Sequence, residues 1–334
     1  MSDASKLIRI AGRDFSITGD PGYLAAMGDN FEPSIVSLYS AMTSANDRVL
    51  DVGANIGLTA CAFSTLCPDG RIACVEPVPR TYRYLQQNTS NLKNVSLFQH
   101  ALGSAPGELR MQGNPDFLAG SFVADAYNIP DEGHFVERVP VKTLDSAFSS
   151  FGLDRLDFMK VDVEGFELEV FEGGRDILNE YKPDVFLEMN HWCLNVFRRI
   201  SIPEFRDRLM SVFPFVFAVE HDSFIDFGDE RNAHHIFHEH LIRLKYCNLV
   251  AGFNRDDLIA RLSSVEAPAV PAQIAEIPPV EIHETHNEAD DLRIEIRRLV
   301  QEKEDLQADN AALRNSTSWK VTAPLRAVIC AVRK

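Results

Sequence analysis

The run Arg48-Val-Leu-Asp-Val52 passes directly into Gly53-Ala-Asn-Ile-Gly57 and then into a helical stretch, Leu58–Leu66. Few architectures accommodate that order. A buried strand that ends on a glycine turn and opens a helix is the first unit of an open α/β sheet. In such a sheet the ligand sits beyond the carboxyl end of the strand, against the free N–H groups of the helix. The glycines allow the tight turn and let a ligand approach bare backbone. Further along, short β-rich runs alternate with helical stretches, as a layered α/β sheet requires. Strands are expected at Ile72–Val75, Val95–Gln99, Leu156–Val163 and Asp184–Met189, with helices over Pro79–Asn88 and Phe166–Leu178. Phe213–Val219 and Leu241–Leu249 are separated by a polar stretch poor in apolar residues, so they read as an antiparallel closing pair joined by a loop. Residues 1–45, with Leu7–Ile10 and Phe15–Ile17, read as a hairpin and helix capping the site.

The turn itself narrows the ligand. Its spacing is Gly-x-Asn-x-Gly, without the middle glycine that lets a dinucleotide pyrophosphate approach, which disfavours a dehydrogenase. Asp51 at the strand end suits an ammonium group instead. Glu76, closing the next strand, is placed to accept both hydroxyls of a ribose. S-adenosylmethionine carries an ammonium, a sulfonium and a ribose but no phosphate, and it fits this acid-rich edge.

Four segments carry a family resemblance: Val49-Leu-Asp-Val-Gly-Ala-Asn-Ile-Gly57, Val75-Glu-Pro77, Val141-Lys-Thr-Leu-Asp145 and Met159-Lys-Val-Asp-Val-Glu-Gly-Phe-Glu167. In that order they resemble the FkbM family of S-adenosylmethionine-dependent O-methyltransferases, over roughly residues 31–220. The resemblance implies a class I (Rossmann-like) seven-stranded methyltransferase sheet with an antiparallel last strand. By matching positions it implies cofactor contacts at Asp51, Gly53, Asn55, Gly57 and Glu76, with adenine near His100 and Ala101. It also implies that Glu32, in Phe-Glu-Pro on the cap, faces the cofactor pocket.

The fourth strand neighbours the first across the switch point, so Lys160, Asp162 and Glu164 are expected at the transferred methyl. Strand alternation would place all three on one face. Ionisable groups on a buried strand need partners or a function. Methyl transfer asks the protein mainly to align the attacking oxygen and take its proton. Asp162 is the first candidate for that work, Glu164 orients it or binds behind the site, and His191 is the alternative base. A divalent metal held by Asp162, Glu164 and Glu188 would be another route, which three carboxylates alone do not establish. The cluster His234-His235-x-x-His238-x-His240 looks like a metal site on paper but lacks a supporting scaffold, and reads as the polar loop.

Charge separates the rest of the chain. With 33 basic against 49 acidic side chains the net charge is −16, a surface that repels nucleic acid. The six cysteines form no CxxC pair and read as reduced thiols. The polar N-terminus, followed by no apolar run, points to a cytoplasmic protein without a secretory signal. From Arg314 onward there are five basic residues and no acid, leaving −21 on residues 1–313. Residues 1–262 are therefore expected as the catalytic domain and the Pro-rich 263–288 as a linker. Leu292, Leu299, Leu306 and Leu313 recur every seventh residue, with Ala289, Ile296, Lys303 and Asn310 at the matching positions. That pattern predicts a coiled coil over 289–315 that binds a second copy or another coil-forming chain. Asn315-Ser-Thr-Ser-Trp319-Lys-Val-Thr-Ala-Pro324-Leu-Arg326 resembles a segment following coiled coils in bacterial glycan-assembly enzymes, and residues 316–334 place Trp319 among basic and apolar side chains. They read as a basic amphipathic tail suited to the inner membrane face or an acidic partner. The expected acceptor is a sugar hydroxyl of a polysaccharide, O-antigen or related glycan. The alternatives are a non-catalytic scaffold of a glycan-synthesis complex and a methyltransferase of a small metabolite.

Overall fold

A computed structural model describes residues 3–114, 117–123, 135–221 and 223–265 of the chain. It opens with a hairpin, β1 (Ala4–Ile10) and β2 (Arg13–Gly19), followed by α1 (Pro21–Ala26) and α2 (Pro33–Met42). Then β3 (Arg48–Val52), α3 (Leu58–Leu66), β4 (Arg71–Val75), α4 (Pro79–Thr89) and β5 (Val95–Phe98) alternate. A run of strands intervenes: β6 (Ala101–Leu102), β7 (Gly107–Asn114), β8 (Phe117–Val123) and β9 (Phe135–Lys142), closed by α5 (Leu144–Ala147). Alternation resumes with β10 (Phe158–Val161), α6 (Glu167–Glu172), α7 (Arg175–Tyr181), β11 (Asp184–Glu188), α8 (His191–Cys193) and α9 (Ile202–Met210). Finally come β12 (Phe215–Glu220), β13 (Ser223–Asp226), α10 (Glu230–Arg243), β14 (Asn248–Gly252) and α11 (Arg255–Ser263).

The main sheet has the order β13-β12-β14-β11-β10-β3-β4-β5. Strands β3, β4, β5, β10 and β11 pair in parallel, and β14 runs antiparallel between β11 and β12. This is the α/β sheet expected from the sequence, a seven-stranded class I arrangement with a reversed last strand, extended by the short edge strand β13. From β3 the chain steps outward through β4 and β5, then returns to the other side of β3 as β10. The switch point therefore lies between the carboxyl ends of β3 and β10, where an open sheet leaves its crevice.

Side-chain alternation divides the sheet between two apolar layers. Leu50, Val52, Ala73, Val75, Met159, Val161, Val185 and Leu187 pack into one layer. Val49, Ile72, Cys74, Phe158 and Phe186 face the other. On that second face Asp51 and Lys160 are direct register partners across β3 and β10. Sequence alternation thus puts an acid and an amine side by side in the cross-sheet row, flanked directly by Cys74 and Phe186.

Three expectations are corrected. The polar stretch before the last strand is not a loop: residues 230–243 form α10, burying Ala233, Ile236, Glu239 and His240. The last strand accordingly runs over Asn248–Gly252 rather than 241–249. The helix expected over 166–178 is broken by Gly173 and Gly174 into α6 and α7, since paired glycines cost helix stability. The second sheet, in the order β6-β9-β7-β8, was not foreseen. No described helix is long and apolar enough to cross a membrane. The Pro-rich stretch beyond residue 265, the coiled coil at 289–315 and the tail at 316–334 lie outside the described residues.

Candidate active site

Gly53 shows why the two central strands need this turn. Its φ is +78°, and a Cβ there would lie 1.9 Å from the Asp162 carbonyl oxygen. Only glycine lets the ends of β3 and β10 come this close. The Gly53 carbonyl accepts a hydrogen bond from Lys160 Nζ at 2.8 Å, and the Asp162 amide donates to Val52 O at 3.2 Å. Over this junction opens a cavity of about 430 Å³, within the range of small-molecule and cofactor sites.

Lys160 is 3% exposed and Asp51 is not exposed at all. Lys160 Nζ stands 3.5 Å from Asp51 Oδ1 and 3.4 Å from Asp162 Oδ2. Burial alone would lower the lysine pKa, but Asp162 and Asp51 outweigh it and raise it above the ordinary value, so the ammonium stays charged. Burial pushes the Asp51 carboxyl up, opposed by Lys160 and by Thr59 Oγ1, which donates to Asp51 Oδ2 at 2.6 Å. Asp51 therefore lies beneath the cavity wall and acts through Lys160 and Thr59, both of which line it. Gly57 likewise lies behind the wall, against Leu85 and Thr89 of α4.

At one end of the cavity the walls are built for a nucleoside. Glu76 is buried, and its two oxygens accept from the amides of Asn55 at 3.1 Å and Val78 at 2.9 Å. Burial still pushes its carboxyl up to about 7 against those two bonds. Asn55 sits in the left-handed region at φ +48°, which Asn tolerates better than most residues. His100 is buried, with Nδ1 3.1 Å from Ala101 O and its ring stacked on Phe151. Burial lowers its pKa, so the ring is neutral. Among the described residues, Asn55 Oδ1, Thr81 Oγ1 and His100 Nε2 are buried without a hydrogen-bond partner. All three residues line this cavity. Buried polar atoms are costly to leave unpaired, so three on one wall point to a polar ligand there. Leu102, Leu109, Met111 and Val123 of the second sheet supply an apolar wall beside them. Glu76, the orphaned atoms and this apolar surface fit the ribose and adenine of S-adenosylmethionine, and the carboxylates beyond them fit its cationic end.

At that other end stand Glu32, Asp162, Glu164 and Glu188. Strand alternation does not bring Glu164 here: β10 ends at Val161, and Glu164 (φ +54°) and Gly165 (φ +91°) turn the chain. That turn is tied by Glu167 Oε1, which accepts from the amides of Val163 at 3.2 Å and Gly165 at 3.1 Å. Glu164 Oε2 accepts from Asn190 Nδ2 and Cys193 Sγ, each at 3.2 Å. Burial, then the Asp162 charge, pushes the Glu164 carboxyl up to about 7. Glu188 is pushed up further by burial and then by Asp162 and Glu164, so it holds a proton beside Asp162. One oxygen of each of Asp162, Glu164 and Glu188 lies within 4.8 Å of the others. A hard cation could use that geometry, and a shared proton accounts for it equally well. Glu32, at φ +31°, has its carboxyl raised by loss of solvent and then by Asp162 across the cavity.

His191 does not line the cavity. Its Nδ1 lies 3.1 Å from Nε2 of His240, whose Nδ1 is 2.8 Å from Lys245 O, so the ring is directed to α10. The other histidines of α10 diverge: His234 meets Phe237 and His235 meets Tyr246. Among the described residues only the three carboxylates converge in a manner that would hold a metal. Thr59, Thr81, Asn190 and Glu167 were missed in the sequence. Only Glu167 left a signal there, as the second acid of Glu164-Gly-Phe-Glu167.

The family model for the methyltransferase FkbM domain matches residues 51–233, more than half of the chain. Over 155 residues the chain is 28% identical to 2-O-methyltransferase NoeI of Sinorhizobium fredii, covering 43% of this chain and 63% of that protein. Over 145 residues it is 28% identical to hexuronic acid methyltransferase AglP of Haloferax volcanii, covering 42% of this chain and 56% of that one. The chain thus spans about three fifths of the length of these curated relatives. Among solved structures it is similar to an FkbM methyltransferase from Methylobacillus flagellatus, with a TM-score of 0.37 and 16% identity over 52% of this chain and 40% of that one.

Proposed function

Because its matched region covers more than half of it, the chain belongs to the FkbM methyltransferase family, and on that premise we propose that it is an S-adenosylmethionine-dependent O-methyltransferase acting on a sugar hydroxyl. The observation that carries the reading is the pairing, in one cavity, of Glu76 and three buried unpaired polar atoms with a group of carboxylates at the β3/β10 switch point. The name of the Sinorhizobium relative, a 2-O-methyltransferase, supports an oxygen acceptor, and that of the Haloferax relative, a hexuronic acid methyltransferase, supports a carbohydrate one. Polysaccharide or O-antigen assembly is the setting this reading favours, and the heptad pattern over 289–315 supports joining to a second copy or another chain.

S-adenosylmethionine, when bound, supplies an electrophilic methyl group on a sulfonium leaving group. Glu76 would hold the ribose hydroxyls, and Asn55, Thr81 and His100 would offer their unpaired atoms to the rest of the nucleoside. Asp162, held by Lys160 on one side and Glu188 on the other, accepts the hydrogen bond of the acceptor hydroxyl and so aims the oxygen. The hydroxyl proton of an alcohol becomes strongly acidic as the oxygen gains its third bond, the new one to the methyl carbon. A carboxylate at hydrogen-bond distance therefore suffices to take the proton, without a stronger base. Lys160 fixes the Asp162 carboxylate and stays charged throughout.

Methyl transfer from labelled S-adenosylmethionine to glycan acceptors tests the assignment. Asp162→Asn should lower kcat by about 100-fold or more, the usual worth of a positioned base, while cofactor affinity changes little. Unchanged turnover would remove Asp162 from the mechanism.

A further inference from the structure

A second hollow, of about 350 Å³, adjoins the cavity and shares Glu32, Ile35, Cys247 and Asn248 with it. Glu32 stands at the junction, and the hollow continues past Ser34 to Glu220 and His221. Glu220 is fixed in place: one oxygen accepts from the Tyr246 amide at 2.8 Å and the other lies 3.7 Å from His221 Nε2. Leu38, Val219 and Leu244 give the same hollow an apolar side. A wall with hydrogen-bond acceptors on one side and aliphatic surface on the other suits a pyranose, which has hydroxyls at its edge and C–H groups on its faces.

The charges in these walls are one-sided. Among the described lining residues, the second hollow carries Glu32 and Glu220, with His221 beside Glu220, and the adjoining end of the cavity adds Asp162 and a single lysine, Lys160. That ammonium is already engaged by Asp51, Asp162 and the Gly53 carbonyl. Among the described residues of these walls an entering carboxylate would meet no free ammonium or guanidinium, and it would add like charge beside Glu32 and Glu220. A hydroxyl or an amine would meet acceptors instead.

We propose that the second hollow is the acceptor subsite and that it takes a sugar without an acid group, neutral or amine-bearing, in preference to a uronic acid. The proposal rests on the methyl-transfer reading of the adjoining cavity, and it adds the location and charge class of the acceptor.

The test uses the full chain loaded with S-adenosylhomocysteine and titrated by calorimetry with methyl glycosides. The gluco, galacto and manno series are each offered as the neutral glycoside, the 2-amino-2-deoxy glycoside and the uronoside. In at least one series the neutral or amino glycoside should bind about tenfold or more tightly than the uronoside at low salt, with the gap narrowing at high salt. Glu220→Gln keeps an oxygen for the Tyr246 amide but removes a charge, and should also narrow the gap. Uronosides binding as tightly as their neutral counterparts would overturn the proposal. So would the absence of glycoside binding in every series while S-adenosylhomocysteine still binds. Failure of S-adenosylhomocysteine itself to bind would instead bring down the methyl-transfer reading beneath it.

Discussion

Gly53→Ala puts the switch point under direct strain, and the structure supplies its own control. The new Cβ would sit 1.9 Å from the Asp162 carbonyl oxygen, about 1 Å inside the shortest separation that Cβ atoms tolerate. The oxygen belongs to backbone just past the end of a central strand and the Cβ is fixed rigidly to the backbone of another, so neither can swing aside. Gly12 has the same φ of +78°, but a methyl group there would meet no atom within 4 Å, so Gly12→Ala measures the backbone conformation alone. The left-handed conformation costs alanine about 1–2 kcal/mol at either position. The forced separation at Gly53 should add about 1–3 kcal/mol, as overpacking does elsewhere. In urea melts Gly53→Ala should therefore lose roughly 2–5 kcal/mol against 1–2 for Gly12→Ala. Any Gly53→Ala protein that remains folded should have lost about 100-fold in methyl transfer, because Asp162 moves with the strand end. Equal destabilisation by the two substitutions would refute the close approach of β3 and β10 on which the site is built.

Two further predictions test the buried charges. Lys160→Met leaves Asp51 buried with Thr59 as its remaining side-chain donor, and should cost about 3–5 kcal/mol in urea melts at pH 7. The loss should shrink at pH 5, where Asp51 can bind a proton instead; a loss independent of pH would contradict the ion pair. Glu76 and Glu164 are pushed up to about 7 and Glu167 to about 8, each chiefly by burial. The folded chain then binds protons that the unfolded chain has already released near 4.5, so stability is greatest below that value and is lost as pH rises to about 8. Tm without ligand should fall steadily between pH 5.5 and 8.5, and a flat or rising profile would show that these carboxyls are solvated.

Much of the half of the chain that builds the cavity was legible because single residues bear distinct chemical duties. The strand 48–52, its glycine turn and Glu76 stand out from apolar surroundings, and the alternation of β10 exposes Lys160 as a charge that needs a partner. What could not be read was pairing. Nothing in the sequence says that Lys160 lies in register with Asp51, and so Asp51 was expected to touch the ligand rather than to hold the lysine. The helix α10 escaped because its buried face is Ala233, Ile236, Glu239 and His240, only two of them apolar. The second sheet escaped because β9 alternates Val139 and Val141 with Arg138, Pro140 and Lys142, and an interior proline argues against a strand. Pro140 is accommodated because β9 pairs with β7 on one side and only briefly with β6 on the other. Glu164 was placed correctly in the cavity for the wrong reason: a left-handed turn tied by Glu167 brings it there.

Calorimetric titration of the full chain with S-adenosylmethionine addresses the main assertion most directly, since it needs no knowledge of the acceptor. The geometry predicts saturable binding at one site per chain, weakened about tenfold or more by Glu76→Ala, which removes the ribose acceptor and frees the Asn55 and Val78 amides. Absence of binding, or binding indifferent to Glu76, would show that the hollow above the switch point serves some other ligand.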